Sequence, residues 1–276
     1  MTSNDDNSSA DSPADSSMDS ALEAAYDALE AGRPDEALVE AARSEDPVGR
    51  ALLECRAQIT LGHLQAAAGA LGRIAEALGD DDLDVLELTG EIALSAWDLD
   101  TAQSAFAAVL ESEPDEPWIL ERLGLLADLR GDFAAGDEFV DRASALGDPP
   151  APPVRVSEEA FDAAVESALG ALAPTFRDRV KHARVVREPV PFRSLVEPED
   201  PAATPPDILG LFAGASELDA PADSDLPPTI YLFKRNIERA SGSPEQVAEE
   251  IRITLFHEIG HLLGLNEDEV AAMGLA

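Results

Sequence analysis

From about Ser20 to Gly147 the chain runs in Ala- and Leu-rich stretches, nearly free of β-branched runs and interrupted at regular intervals by Gly or Pro. Such stretches favour helix, because alanine and straight-chain residues lose little freedom there. The pattern also repeats. GEIALSAWDLDTAQSAFAAVLESEP (Gly90–Pro114) and GLLADLRGDFAAGDEFVDRASALGD (Gly124–Asp148) align with an offset of 34 residues, pairing Gly90 with Gly124, Ala102 with Gly136 and Phe106 with Val140. The small residues let two helices approach closely, the apolar one lies on the packed face, and Pro114 stops the first unit. GRPDEALVEAA (Gly32–Ala42) and GHLQAAAGALGRI (Gly62–Ile74) are weaker copies that keep a glycine and, five residues on, Ala37 and Ala67. About four helix–turn–helix units are therefore predicted, enough to stack around a shared core.

GDPPAPPV (Gly147–Val154) is incompatible with helix and reads as a semi-rigid spacer. Beyond it the character changes. Ser157 is a candidate N-cap for a helix whose apolar face is Phe161, Val165, Ala168 and Leu172, within SEEAFDAAVESALGALAPTFRDRV. HARVVREPV alternates as a strand does, DILGLFAG (Asp207–Gly214) sits within a long Pro/Asp/Ala-rich loop, and PTIYLFKRNI (Pro228–Ile237) is a further strand candidate. A last long helix starts at Ser243, with Pro244 in its first position and Gln246 completing a capping box. The predicted organisation is a solvated Ser/Asp-rich tail at 1–19, helical repeats at 20–147, a linker at 148–156 and a small α+β domain at 157–276.

Composition narrows the function. With 56 acidic and 19 basic residues the formal net charge is −37, which repels nucleic-acid phosphates and anionic lipid, so neither is an expected partner. No apolar run reaches the roughly 18 residues that a transmembrane helix needs, and the N-terminal twenty residues lack the basic and apolar regions of a secretory signal. Cys55 stands alone, so an internal disulfide and a cysteine-rich zinc site are excluded. A reducing cytoplasm is the expected location.

The last long helix carries the candidate chemistry. In TLFHEIGHLLGLNEDEV, His257 and His261 stand four apart and present both imidazoles on one face, while Glu258 lies about 100° round the axis, near a metal-held water. Leu255, Phe256, Ile259, Leu262 and Leu263 make the surroundings apolar, and an apolar setting does not admit two imidazoles and a carboxylate without partners. Gly264 is suited to end the helix and turn the chain back, bringing Glu267, Asp268 and Glu269 into reach. Spacing favours Glu267 as third zinc ligand, with Asp268 as the alternative. Asn266 is also a candidate cap for a last short helix, with the acidic residues in its first turn.

HEIGHLLGLNE resembles the extended motif of metzincins, with Glu267 where that family usually has His or Asp. The region from about Ser157 onward, including ILGLFAG, TIYLFKRNIER and ITLFHEIGHLLGLNEDEV, resembles the minimal zincin-like metallopeptidases of bacteria. That resemblance implies a helix, a small mixed sheet and an active-site helix, with His257 and His261 as zinc ligands and Glu258 as catalytic base. Phe212 departs from it, standing where the family tends to carry tyrosine. The strand at Leu209, Gly210 and Leu211 is the candidate edge for an extended peptide. The loop from Glu188 to Pro228 is a candidate cover for the cleft.

The N-terminal units look like tetratricopeptide repeats, which share the 34-residue period, although the Trp and Tyr typical of their first helix are missing. Two functions follow. One is a zinc-dependent endopeptidase acting on a peptide or protein substrate, with repeats that recruit a protein partner. The alternative is a non-catalytic repeat scaffold whose zinc site is structural or idle. A structural site would need a fourth protein ligand, for which His182 is the candidate.

Overall fold

The computed structural model describes residues 19–147, 152–196, 201–214, 228–266 and 269–270. The chain divides into two compact units, Met1–Gly79 and Asp80–Ala276. In the first, α1 (Ser20–Glu30), α2 (Pro34–Ala41), α3 (Pro47–Thr60) and α4 (Leu64–Leu78) form two helical hairpins. Asp19 and Asp46 cap α1 and α3 by accepting from the Ala21 and Val48 amides. Alanines at positions 25, 28, 37, 57, 67 and 70 are buried, so the helices pack with little between them. Cys55 is wholly buried and its thiol donates to the Ala67 carbonyl. Burial pushes that thiol up to about 12, which marks it as a core residue rather than a nucleophile.

The second unit opens with two more hairpins, α5 (Leu83–Ser95) with α6 (Leu99–Ser112) and α7 (Pro117–Leu129) with α8 (Phe133–Ala145). The 34-residue register is physical. Gly90 lies against the Phe106 ring, and Gly124, its aligned partner, lies against Val140, the partner of Phe106. A Cβ on Gly124 would come within 3.1 Å of Val140 Cγ2. The turns inside the hairpins need a left-handed residue, and three of them use glycine: Gly32 at φ 69°, Gly62 at 73° and Gly131 at 80°. The turn between α5 and α6 instead uses Trp97, at φ 60°, the single non-glycine residue with positive φ among those described. For an L-residue that conformation costs about 1–2 kcal/mol.

The small α+β part follows in the same unit: α9 (Glu158–Ala171), α10 (Pro174–Val180), β1 (Arg184–Glu188), β2 (Gly210–Ala213), β3 (Thr229–Phe233), α11 (Lys234–Arg239) and α12 (Pro244–Leu262). The sheet order is β1-β3-β2, with β1 parallel and β2 antiparallel to β3. Ile230 and Leu232 of β3 meet Val247, Ile251, Leu255 and Ile259 of α12 and the predicted face Phe161, Val165, Ala168 and Leu172 in one core. The architecture is thus a helical-repeat region followed by a small α+β domain, as the sequence implies. Among the described residues no helix is long and apolar enough to cross a membrane.

Two element predictions needed correcting. The helix expected from Ser157 through Val180 breaks after Ala171, because Pro174 cannot continue it and instead starts α10. The strand expected over Pro228–Ile237 ends at Phe233, and Lys234–Arg239 is helical. That turn into helix puts Ile237 into the core and lets the Asn236 amide donate to the carbonyls of Pro206 and Ile208. The predicted caps are present, in one case altered. Ser157 and Ser243 accept from the amides of Ala160 and Gln246, while Gln246 reaches back to the Gly242 amide rather than to that of Ser243.

The repeats and the α+β part of this unit are joined by charge and by packing. The Asp128 side chain on α7 is fully buried, and its Oδ2 accepts from Arg235 Nε at 2.7 Å and from Arg239 Nη2, both on α11. Arg235 also reaches Asp137 on α8 at 2.7 Å. Burial lowers the pKa of Arg239 to about 10. Val190, just after β1, sits in the core built by Phe106, Ile119, Leu123 and Leu126 of α6 and α7.

Candidate active site

Helix α12 brings the motif residues onto two adjoining stripes. On one, His257 and His261 are half-buried, their Nε2 atoms 2.9 Å apart and their rings at 80°. That distance is a hydrogen-bond contact between the two imidazoles, and it places two nitrogen donors from adjacent helical turns near enough to serve one cation. On the other stripe, Thr254 and Glu258 pack against β2. Gly210 makes that approach possible. A Cβ there would lie 2.5 Å from Thr254 Cγ2 and 3.2 Å from Glu258 Cγ. Glu258 is 7% exposed, and its Oε2 accepts from the Phe212 amide at 2.6 Å. A backbone donor on β2 therefore fixes one oxygen of the carboxylate beside the imidazole pair.

The chain reverses after α12 by a Schellman turn. Gly264 adopts φ 81°, its amide donates to the His261 carbonyl, and the Leu265 amide donates to that of Gly260. Asn266 and Glu269 then form a reciprocal capping box, each side chain accepting from the other's amide at 3.0 Å. Val270 returns to pack on Gly260, where a Cβ would stand 2.5 Å from its Cγ2. Glu267 and Asp268, the expected third-ligand positions between these two caps, lie outside the described residues, as does much of the expected cleft-covering loop.

Among the described residues no group of three or more His, Cys, Asp or Glu side chains is arranged to hold a metal ion. His182 is exposed on the turn before β1, and His63 contacts Gln58 between α3 and α4. The two imidazoles fit a metal ion by their nearness and donor chemistry, and the capped return after Gly264 carries carboxylates. The Phe212 amide was not foreseen from sequence. Gly210 was the available signal, since glycine inside a strand marks a close backbone approach.

The profile of the zincin-like metallopeptidase family matches residues 181–275. No curated protein matches the chain. The C-terminal domain is zincin-like, and the family implies a metal cofactor and a peptide substrate.

Proposed function

We propose that the C-terminal domain is a zinc-dependent endopeptidase. His257 and His261 hold the ion with a carboxylate supplied after the Gly264 turn, Glu267 by spacing or else Asp268. Zinc bound there supplies a Lewis acid that lowers the pKa of water and polarises a peptide carbonyl. Glu258 accepts the proton of the attacking water and passes it to the leaving amine. Its Oε2 accepts from the Phe212 amide, which holds the carboxylate in place for that proton transfer.

The substrate lies along β2 as an added antiparallel or parallel strand. Support comes from the alternation of β2: the Leu209 carbonyl accepts from Phe233 of β3, whereas the Phe212 amide points the other way, to Glu258. Of the Leu209, Gly210 and Leu211 segment, the Gly210 backbone then shares the outward edge, in line with the carboxylate. The repeats recruit a protein partner, a role in keeping with the exposure of Tyr26 on α1 and Val39 on α2.

The observation that carries the reading is the close approach of two Nε2 atoms on the helix that also carries a buried carboxylate held by an edge strand. A peptide-library digest tests it. Wild-type protein is expected to release new amino termini, and Glu258→Gln to lose at least about 100-fold of that rate while keeping its metal. Equal rates for the two would remove Glu258 as base, and no cleavage by metal-loaded wild-type protein would favour the scaffold.

A further inference from the structure

Trp97 occupies the one hairpin turn that lacks glycine, and its indole leaves the repeat. Nε1 donates to the Thr204 carbonyl at 2.8 Å, 107 residues along the chain, and the tryptophan is 9% exposed. Thr204 is itself 5% exposed and lies just upstream of β2. Between the two, every described anchor converges on the same short segment. Asn236 donates to the carbonyls of Pro206 and Ile208. Arg122 of α7 bonds Asp207 at 3.1 Å while Glu91 of α5 holds its Nε at 2.8 Å. Burial opposes the Arg122 charge, but Glu91 and Asp207 outweigh it and raise its pKa, so this guanidinium stays charged in place. The segment then enters β2, whose Phe212 amide holds Glu258.

We propose that Trp97 is a positioning residue for β2: the α5–α6 turn sets the edge strand, and through it both the peptide track and the carboxylate. This rests on the peptidase reading for its catalytic consequence. The strained backbone supports it, because glycine serves the other three hairpin turns and would relieve the strain here. What glycine lacks is the donor to Thr204. Trp97 thus ties α5 and α6 to the site as working parts, a role separate from recruiting a partner.

The test uses the full chain with Trp97→Phe, which keeps an aromatic ring and removes the N–H, and Trp97→Gly, which suits the turn and removes the side chain. Amide exchange is followed over 204–213, over α5–α6 and over β3. Both variants are expected to exchange about tenfold faster over 204–213 while α5–α6 and β3 keep their protection. Peptide hydrolysis is expected to lose about fivefold or more in kcat/KM, chiefly through KM, with metal content unchanged. Unaltered exchange over 204–213 in Trp97→Phe, or faster exchange spread equally over α5–α6, overturns the positioning role. So does a Trp97→Gly chain that hydrolyses peptide as well as wild type. Exchange reads the Trp97 role even in a chain that cleaves nothing, so failure of the peptidase reading is told apart from failure of this one.

Discussion

The hairpins α1–α4 and α5–α8 share a plan and differ in how their special positions are filled. In the first pair Gly32 and Gly62 make the turns, buried alanines line the contacts, and Cys55 is an inert part of the core. In the second pair a tryptophan takes one turn, Asp128 places a carboxylate inside the helical packing, and Val190 from outside the repeats completes the core. Each of these exceptions reaches residues of the α+β domain: Thr204, Arg235 with Arg239, and the segment after β1. A repeat is joined to a neighbouring domain through a few residues at positions where its own packing asks for something else. The departures from the repeat pattern, more than the pattern, carry the functional information.

The contrast can be broken most sharply at Asp128. Asp128→Ala leaves Arg235 and Arg239 short of their buried partner and is expected to destabilise the second unit by about 3–5 kcal/mol. Urea unfolding with segment-resolved amide exchange would place that loss in α7, α8 and α11 and leave α1–α4 unchanged. A loss under about 1 kcal/mol would mean the cluster does not join repeats to domain. A smaller effect is expected at Gly136, where any Cβ meets the Asp128 carboxylate: Gly136→Ala should cost about 1–3 kcal/mol. The smallest effect has the opposite sign. Gly69 of α4 has open space around it, so Gly69→Ala should stabilise the first unit by about 0.5–1 kcal/mol. Matching responses at Gly136 and Gly69 would erase the distinction between the two hairpin pairs.

What the sequence disclosed follows the same division. The 34-residue offset aligns Gly90 with Gly124 and Phe106 with Val140, and within each repeat the glycine touches its partner, Gly90 against Phe106 and Gly124 against Val140, because close helix packing writes itself into local spacing. The apolar face of α9, the Ser243 cap and the Gly264 reversal were readable for the same reason: each is decided within a few residues. His257, Glu258 and His261 stand out in the sequence as candidates because one helix carries all three. The rest depends on contacts distant in sequence. Nothing near Lys234 says that β3 stops and a helix starts, since that choice is made by the core around Ile237 and by the carbonyls Asn236 finds at Pro206 and Ile208. Asp128 looks like one more solvated charge in an acidic chain until Arg235 and Arg239 arrive from 107 and 111 residues away. In the 34-residue register Trp97 falls opposite Gly131, a local sign, visible once the turn geometry is known, that its turn differs from the others.

Metal content tests the central claim most directly. Elemental analysis of the purified full chain should give about one zinc per chain, retained in Glu258→Gln and lost when His257 and His261 are both replaced by alanine. Protein that takes up no zinc, or a double-alanine chain that holds it as firmly as wild type, would contradict the assignment of the imidazole pair as the metal's seat.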